Sequence, residues 1–423
     1  MTSAPAMEYS SALPETDWAS KPLTTPTKRV VSVDALRGFD MFWIIGGDAI
    51  AHTLAALFKG KRWAQELYNQ TAHVEWGTTN WKGLVTFQEV HFFDLIFPLF
   101  VFIVGVSLVF SLTKQIAQAG KAKAMQRIII RSILLFCMGI IINGGLSSPW
   151  PDVRLLGVLQ RIAICYFVAG LLFTFFSTRT LIIVSVSLLL IYWAIMGLVK
   201  MPGQKQLSFE EGKNIANWID SKILPGKKYD SKLIPHDPEG ILSTIPAVVT
   251  CLLGVFAGLF LRNGSQSPWK KGVILILCGV AAMALGTLWG CQFPVIKKLW
   301  TSSYVLFAGG LSAILLGVFY LIIDVANFQI WAKPFVWIGM NAILCYMLFD
   351  GRIIPLRPRM NDRGELVEAP TVALCERLMG GSVRYHLNQL HAGLANFVVA
   401  CLAMVIILLI VRFLYKRQIF LRV

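Results

Sequence analysis

The sequence predicts an all-α polytopic integral membrane protein, with about ten spanning helices gathered in one bundle. Three observations predict it. Of 423 residues, 56% are hydrophobic and only 15% charged, with a mean hydropathy of +0.64; soluble domains carry roughly 45–50% apolar and about 25% charged residues. Apolar runs of spanning length recur from residue 34 to residue 415. The 13 Trp, 27 Phe and 34 Gly suit aromatic belts at the membrane surface and close helix contacts within it. An ordinary cytosolic enzyme, a disordered chain and a secreted disulfide scaffold are all excluded.

The elements follow in order. Residues 1–30 are polar, rich in Pro, Ser and Thr, and lack the apolar core of a secretory signal, so they read as a flexible cytoplasmic tail. The span at 34–57 must then direct insertion itself. Further spans are predicted at 92–112, 128–143, 155–176, 181–199, 241–261, 271–289, 304–324, 335–349 and 394–415, the third and ninth being short. Segments 58–91, 200–240 and 350–393 are long and polar and fall together on the outer side. Residues 31–423 thus read as one membrane domain with three extracytoplasmic loops. No fixed-period or inverted repeat is visible.

Thirty-nine Lys+Arg against 23 Asp+Glu give a net charge of +16. The short connections hold Lys28, Arg29, Lys121, Lys123, Arg127, Arg179, Lys270, Lys271 and Lys333, and the tail Lys416 and Arg417. Positive residues in short loops mark the inner face, so a multi-pass protein of the inner cell membrane with both termini cytoplasmic is expected. Anionic lipid is the partner for this charge. No basic stripe with interleaved aromatics appears, which argues against nucleic acid. The eight Cys lie mostly inside apolar runs without a C-x-x-C pair, and read as small hydrophobes rather than disulfide or metal ligands.

Ionised groups inside a span cost about 2.5–3.5 kcal/mol on insertion scales, so each needs a partner or a wet cavity. The first span, SVDALRGFDMFWIIGGDAIAH, holds Asp34, Arg37, Asp40 and Asp48, with His52 near its end. Asp34 and Arg37 share a face three residues apart, as an intrahelical pair or a ligand site; Asp40 is one turn further in and could join them. Asp48 follows Gly46-Gly47 near the outer end with no cation close in its helix, and reads as a site acid.

The next segment, TAHVEWGTTNWKGLVTFQEVHFFDLIFPLFVFIVG, carries His73, His91 and Asp94. A histidine titrating near 6.5 is suited to taking a proton from an amine or hydroxyl, and a carboxylate such as Asp48 could fix its tautomer. In VRLLGVLQRIAICYF, Gln160 and Arg161 sit in an apolar stretch and must be paired or line a cavity; Arg161 could bind an anion or neutralise Asp34, Asp94 or Asp152. Asp237 and Glu239 precede a helix, where capping is the simplest role. Asn341 lies mid-membrane, where a helix–helix hydrogen bond is the default. No P-loop, dinucleotide fingerprint, H-E-x-x-H helix or G-x-S-x-G elbow is present.

Taken in order, SVDALRGFDMF, HVEW, DLIFPLFVFIVGVSL, GVLQRI, DPEGILSTI, KKLWTSSYV and WIGMNAILCYM resemble the heparan-α-glucosaminide N-acetyltransferase family of transmembrane acyltransferases. The bacterial branch fits best, because the large extra N-terminal domain of the lysosomal enzyme is not seen in this sequence. The resemblance implies transfer of an acetyl group from cytosolic acetyl-CoA to an amine or hydroxyl of an (amino)sugar on the far side, with no metal. It implies that His73, in the H-x-x-W segment, is the general base or acetyl carrier. Asp48 falls where the lysosomal enzyme has Asn, and would hold the ring. Family members pass from H-x-x-W to D-L-[IV]-F-P in fewer than ten residues; here TTNWKGLVTFQEVHFF intervenes after Gly77, which leaves His91 as the alternative catalyst. Asp34, Arg37, Asp40, Asp94, Gln160, Arg161, Glu239 and Asn341 would shape the cavity, with Arg37 or the basic cluster at 121–131 as a seat for CoA phosphates. Pairing with a second copy is left open. The rival reading is a proton-coupled transporter of a sugar or lipid-linked substrate.

Overall fold

Ten apolar runs call for helices of bilayer length, and each of the ten falls on helical backbone, interrupted in the first and ninth. The computed structural model describes residues 29–74, 76, 90–146, 149–229, 234–350, 359–360, 366–367 and 370–421. The expected tail at 1–30, apart from its last two residues, and residues 77–89, which hold most of the insertion, lie outside the described residues. Seven helices among the described residues are long and apolar enough to cross a membrane. The architecture is all-α, with one two-residue strand pair, β1 (Arg359–Met360) and β2 (Leu366–Val367).

The first span is a broken rod. α1 (Val31–Phe42) and α2 (Asp48–Leu57) are joined by a π-turn at Trp43–Gly47, where Gly46 takes φ 148°, a conformation that favours glycine. α3 (Arg62–Gln70) follows on the loop side. α4 (Ile96–Ile140) runs 45 residues, which as one straight helix would be about 68 Å, more than twice the hydrocarbon thickness. It is not straight. At Gly120 the backbone leaves helical geometry (φ 80°, ψ 170°), and Arg127 Nη1 donates to Gln115 Oε1 at 3.0 Å. Twelve residues of straight helix would separate those side chains by about 18 Å, so the chain reverses at Gly120. The two arms are the separate spans predicted at 92–112 and 128–143.

α5 (Val158–Phe175), α6 (Thr178–Leu198), the short α7 (Ile215–Ile223), α8 (Ile241–Arg262), α9 (Pro268–Gly290) and α10 (Ser302–Phe319) follow. The ninth predicted span breaks at Asn341 into α11 (Lys333–Met340) and α12 (Ala342–Cys345). α13 (Pro370–Leu390) precedes the last span, α14 (Leu394–Lys416). α6 and α9 turn Ile182, Ile183, Val186, Leu277, Leu285 and Leu288 outward, as lipid-facing helices do, while α4 and α8 supply much of the buried core.

Backbone contact sets the helix crossings. A Cβ on Gly105 of α4 would stand 1.9 Å from the Cys251 carbonyl oxygen of α8, and one on Gly254 would stand 1.9 Å from that of Phe102. α1 and α11 meet the same way at Gly38 and Gly339, where a Cβ would approach the Phe335 and Asp34 carbonyls to 1.7 and 1.9 Å. Small residues are what let helices pack this closely in lipid, where no hydrophobic gain draws them together. Gly105→Leu should therefore force α4 and α8 apart and lower the melting temperature of the purified protein by several degrees or abolish its folding. Gly264→Ala, at a glycine with open space around it, should leave it unchanged.

Candidate active site

The chain's return between the first two spans builds the site. The α3 helix closes at Thr71, whose N–H donates to the Leu67 carbonyl at 3.2 Å. The H-x-x-W segment then runs back over the 3-10 turn Phe92–Leu95 that opens the second span. Asp94 stands in that turn, 2% exposed. Its Oδ2 accepts from the backbone N–H of Val74 and of His91, each at 3.2 Å. Its Oδ1 lies 3.0 Å from His73 Nδ1 and accepts from Lys297 Nζ at 3.1 Å. These four contacts match the roughly four acceptor sites of an ionised carboxylate. The turn is anchored by Tyr304 of α10, whose buried hydroxyl donates to the Asp94 carbonyl at 2.6 Å.

His73 leans on Phe93, with ring centroids 4.8 Å apart, while its side chain stays 56% exposed toward a cavity of about 480 Å³. The tautomer that gives its Nδ1–H to Asp94 keeps the lone pair on Nε2, the atom a general base uses, whereas the other tautomer accepts at Nδ1 from Lys297. Lys297 Nζ lies 2.9 Å from the same Nδ1. Burial lowers the His73 pKa from its ordinary value; the hydrogen bond to Asp94 opposes this and the Lys297 charge reinforces it, so the ring is neutral near pH 7. Burial likewise lowers the pKa of Lys297, against the pull of Asp94.

The polar wall continues with Arg154 and Glu239. Arg154 grips Asp237 in a two-pronged pair, Nε to Oδ2 at 2.7 Å and Nη2 to Oδ1 at 2.6 Å; Nη2 also bonds Glu239, and the guanidinium stacks on Tyr229 at 4.8 Å. Below lie Phe97, Phe100, Leu159, Ile162 and Ile343. A second cavity of about 450 Å³, at the end of the bundle that carries Arg29 and the C-terminal segment, is lined by Arg29, Asp34, Arg37, Arg127 and Arg131. Phe100, Leu159, Ile162 and Ile343 line both cavities. The two spaces are back to back across one apolar septum.

The residues singled out from sequence divide between these places. His73, Asp94 and Glu239 line the first cavity; Asp34 and Arg37 line the second. Asp34 pairs first with Arg29 at 2.6 Å and only then with Arg37 at 3.5 Å, so the intrahelical pair is the weaker of the two. The carboxylate on His73 is Asp94, in place of the Asp48 that the sequence suggests; Asp48 is buried at the start of α2 and is not among the cavity-lining residues. Asp40 is fully buried with neither oxygen bonded among the described residues, so it does not join Asp34 and Arg37. His91 is not among the residues that line this cavity; its Nδ1 meets the Ala72 carbonyl at 2.9 Å, which pins the returning chain.

Gln160 is buried with its amide in the space left by Gly139 and Gly157. Arg161 binds neither Asp34, Asp94 nor Asp152. It donates to the Pro238 carbonyl at 3.0 Å and to Ser243, and stacks on Trp300 at 4.9 Å, which fixes the loop that presents Glu239. Capping of α8 falls to Asp220, which accepts from Ile241 N–H at 2.9 Å, instead of to Asp237 or Glu239. Asn341 bonds the C-terminal segment. Sequence reasoning missed Lys297 and Arg154. Lys297 is one more loop charge to a reader of KKLWTSSYV, and the acidic pair at 237 and 239 is the one signal that a cation is needed nearby.

Fold and site together define a polytopic membrane protein with a histidine–carboxylate–lysine cluster at one end of the bundle and an arginine-lined cavity at the other. No family model matches the chain. The heparan-α-glucosaminide N-acetyltransferase of Mus musculus is 29% identical over 64% of this chain and 48% of its own length. That of Homo sapiens is 31% identical over 63% of this chain and 47% of its own. The chain is similar to these N-acetyltransferases over nearly two thirds of its own length and spans about half the length of these curated relatives.

The cluster predicts its own titration. His73 should titrate below 6.5 in side-chain NMR spectra, and Lys297→Met should move that value upward by removing a neighbouring positive charge. Asp94→Asn should move it down.

Proposed function

We propose that the protein is a transmembrane acetyltransferase, moving an acetyl group from acetyl-CoA on the cytosolic side to an amine or hydroxyl of an amino sugar on the opposite side. The observation that carries this is the pair of cavities on one septum. Arg29, Arg37, Arg127 and Arg131 suit the phosphates of a CoA thioester, and His73 with Asp94 suits proton transfer at an acceptor. The slender pantetheine arm would cross between Phe100, Leu159, Ile162 and Ile343 to bring its thioester to the His73 cavity.

His73 Nε2 takes the proton of the acceptor N–H or O–H as that atom attacks the thioester carbonyl. The C–S bond then breaks, and the imidazolium returns a proton to the leaving thiolate. Asp94 stabilises the imidazolium as it forms. Lys297 keeps Asp94 ionised in a buried place and holds the resting imidazole neutral. In an acetyl-enzyme route the same Nε2 attacks the thioester carbonyl itself and the C–S bond breaks to release the CoA thiolate; the acceptor then attacks the acetyl carbon, the C–N bond to Nε2 breaks to restore the imidazole, and the acceptor's proton is left to the thiolate. Sugar hydroxyls meet Glu239 and Arg154 on the cavity wall, with Tyr229 as an apolar face.

The transporter reading asks for a polar path through the bundle, and the septum between the two cavities is apolar. Acetyl transfer by purified variants separates the candidates for the base. His73→Ala should lower kcat/KM by about 10²- to 10⁴-fold, the usual worth of a general base, and His91→Ala should retain turnover in proportion to folded protein. CoA should raise the melting temperature of wild type and of His73→Ala alike, since the catalytic imidazole is not in the arginine cavity. Full activity in His73→Ala contradicts the assignment.

A further inference from the structure

The chain's last described residues belong to the arginine cavity. The side-chain amide of Asn341 stands where α11 breaks from α12, 1% exposed, and grips the C-terminal segment from both of its ends: Nδ2 donates to the Ile419 carbonyl at 3.1 Å, and Oδ1 accepts from Leu421 N–H at 3.2 Å. Between those two points lies Phe420, which lines the cavity beside Leu421. The Tyr415 ring stands edge-on to it, centroids 6.1 Å apart, and supports it from the end of α14. An aromatic ring is thus held against a space lined by Arg127 and Arg131.

The charge in that cavity is unbalanced. Asp34 is shared by Arg29 and Arg37, while Arg127 donates to the neutral amide of Gln115 and Arg131 stacks on Tyr166 at 4.7 Å with its Nε unbonded. Neither Arg127 nor Arg131 has a carboxylate partner among the described residues. Guanidinium groups without counter-charge recognise phosphate, and an aromatic face recognises a heteroaromatic base. Together they are the chemistry of a nucleotide.

We propose that the segment Ile419–Leu421 is a binding element of the donor site, in which Phe420 stacks on the purine of the donor's nucleotide and Asn341 is the positioning residue that holds the segment in place. This rests on acetyl-CoA being the donor and goes beyond it by assigning the base-binding wall to the C-terminal segment. A polar residue inside the membrane then clamps a part of the ligand site rather than another helix.

Binding to the purified full-length protein tests this, with CoA, adenosine 3′,5′-bisphosphate and pantetheine as three separate probes. Phe420→Ala should weaken CoA and the bisphosphate by about tenfold, within the range removal of a stacked base gives, and leave pantetheine unchanged; Phe420→Trp should bind as wild type. Asn341→Ala should reproduce the loss. Should that variant fail to fold, Phe420→Ala carries the test alone, since residue 420 lies beyond α14, outside the spanning helices. Wild-type affinity for CoA and the bisphosphate in Phe420→Ala overturns the proposal. Wild-type protein that binds neither compound overturns the acetyl-CoA reading as well, so the two failures are distinguishable.

Discussion

A carboxylate buried at a membrane-embedded helix start has to be satisfied completely, and Asp94 is satisfied by four groups from three parts of the chain. Burying an ion without partners costs several kcal/mol, so the loop between the first two spans, the second span and the Lys297 segment are bound to one another through this side chain. That single requirement fixes where His73 stands and which of its nitrogens faces the carboxylate. It also explains why His91, only three residues before Asp94, has a different role. Its backbone N–H feeds the same carboxylate while its ring holds the returning stretch of chain. The two histidines are neighbours in space with unlike surroundings, and surroundings decide their roles.

The second constraint is steric. α1 crosses α11, and α4 crosses α8, at distances no side chain larger than hydrogen allows. Such crossings draw the first span tightly into the bundle, so that Asp34 and Arg37 open on one cavity while Met41 and Ile44, further along the same broken helix, open on the other. The apolar septum arises from the same packing. In the proposed reaction its value is that charged substrates and water stay on their own sides while a thin, uncharged arm reaches between them.

Much of this is legible in the sequence, and the illegible remainder has identifiable physical causes. Spans are legible because a bilayer imposes one length and one composition, and even the hairpin at Gly120 shows itself as a basic, glycine-containing gap between two apolar runs. His73 and Asp94 are legible as members of short ordered motifs. Their pairing is not. Asp48 has the right chemistry and the preceding helix, but a π-turn at Trp43–Gly47 rotates and shifts the residues beyond it, and no periodicity rule carries through such a turn. Arg161 looks like a site cation because it is buried; it is instead spent on loop carbonyls, while the cation at the acidic pair is Arg154, seven residues earlier. Asn341 reads as a helix–helix contact, since nothing in a local pattern shows that a segment about eighty residues later will return to it.

In the proposed reaction one protein brings a donor on one side of a membrane to an acceptor on the other. Sealed proteoliposomes of uniform orientation test it directly, with labelled acetyl-CoA supplied only at the face bearing the chain's ends and glucosamine only at the face bearing the long loops. Transfer across the bilayer should give acetylated sugar on the loop face, free CoA retained on the other, and no movement of intact sugar. Product formed only when both compounds share a face, or unmodified sugar crossing the bilayer, would contradict it.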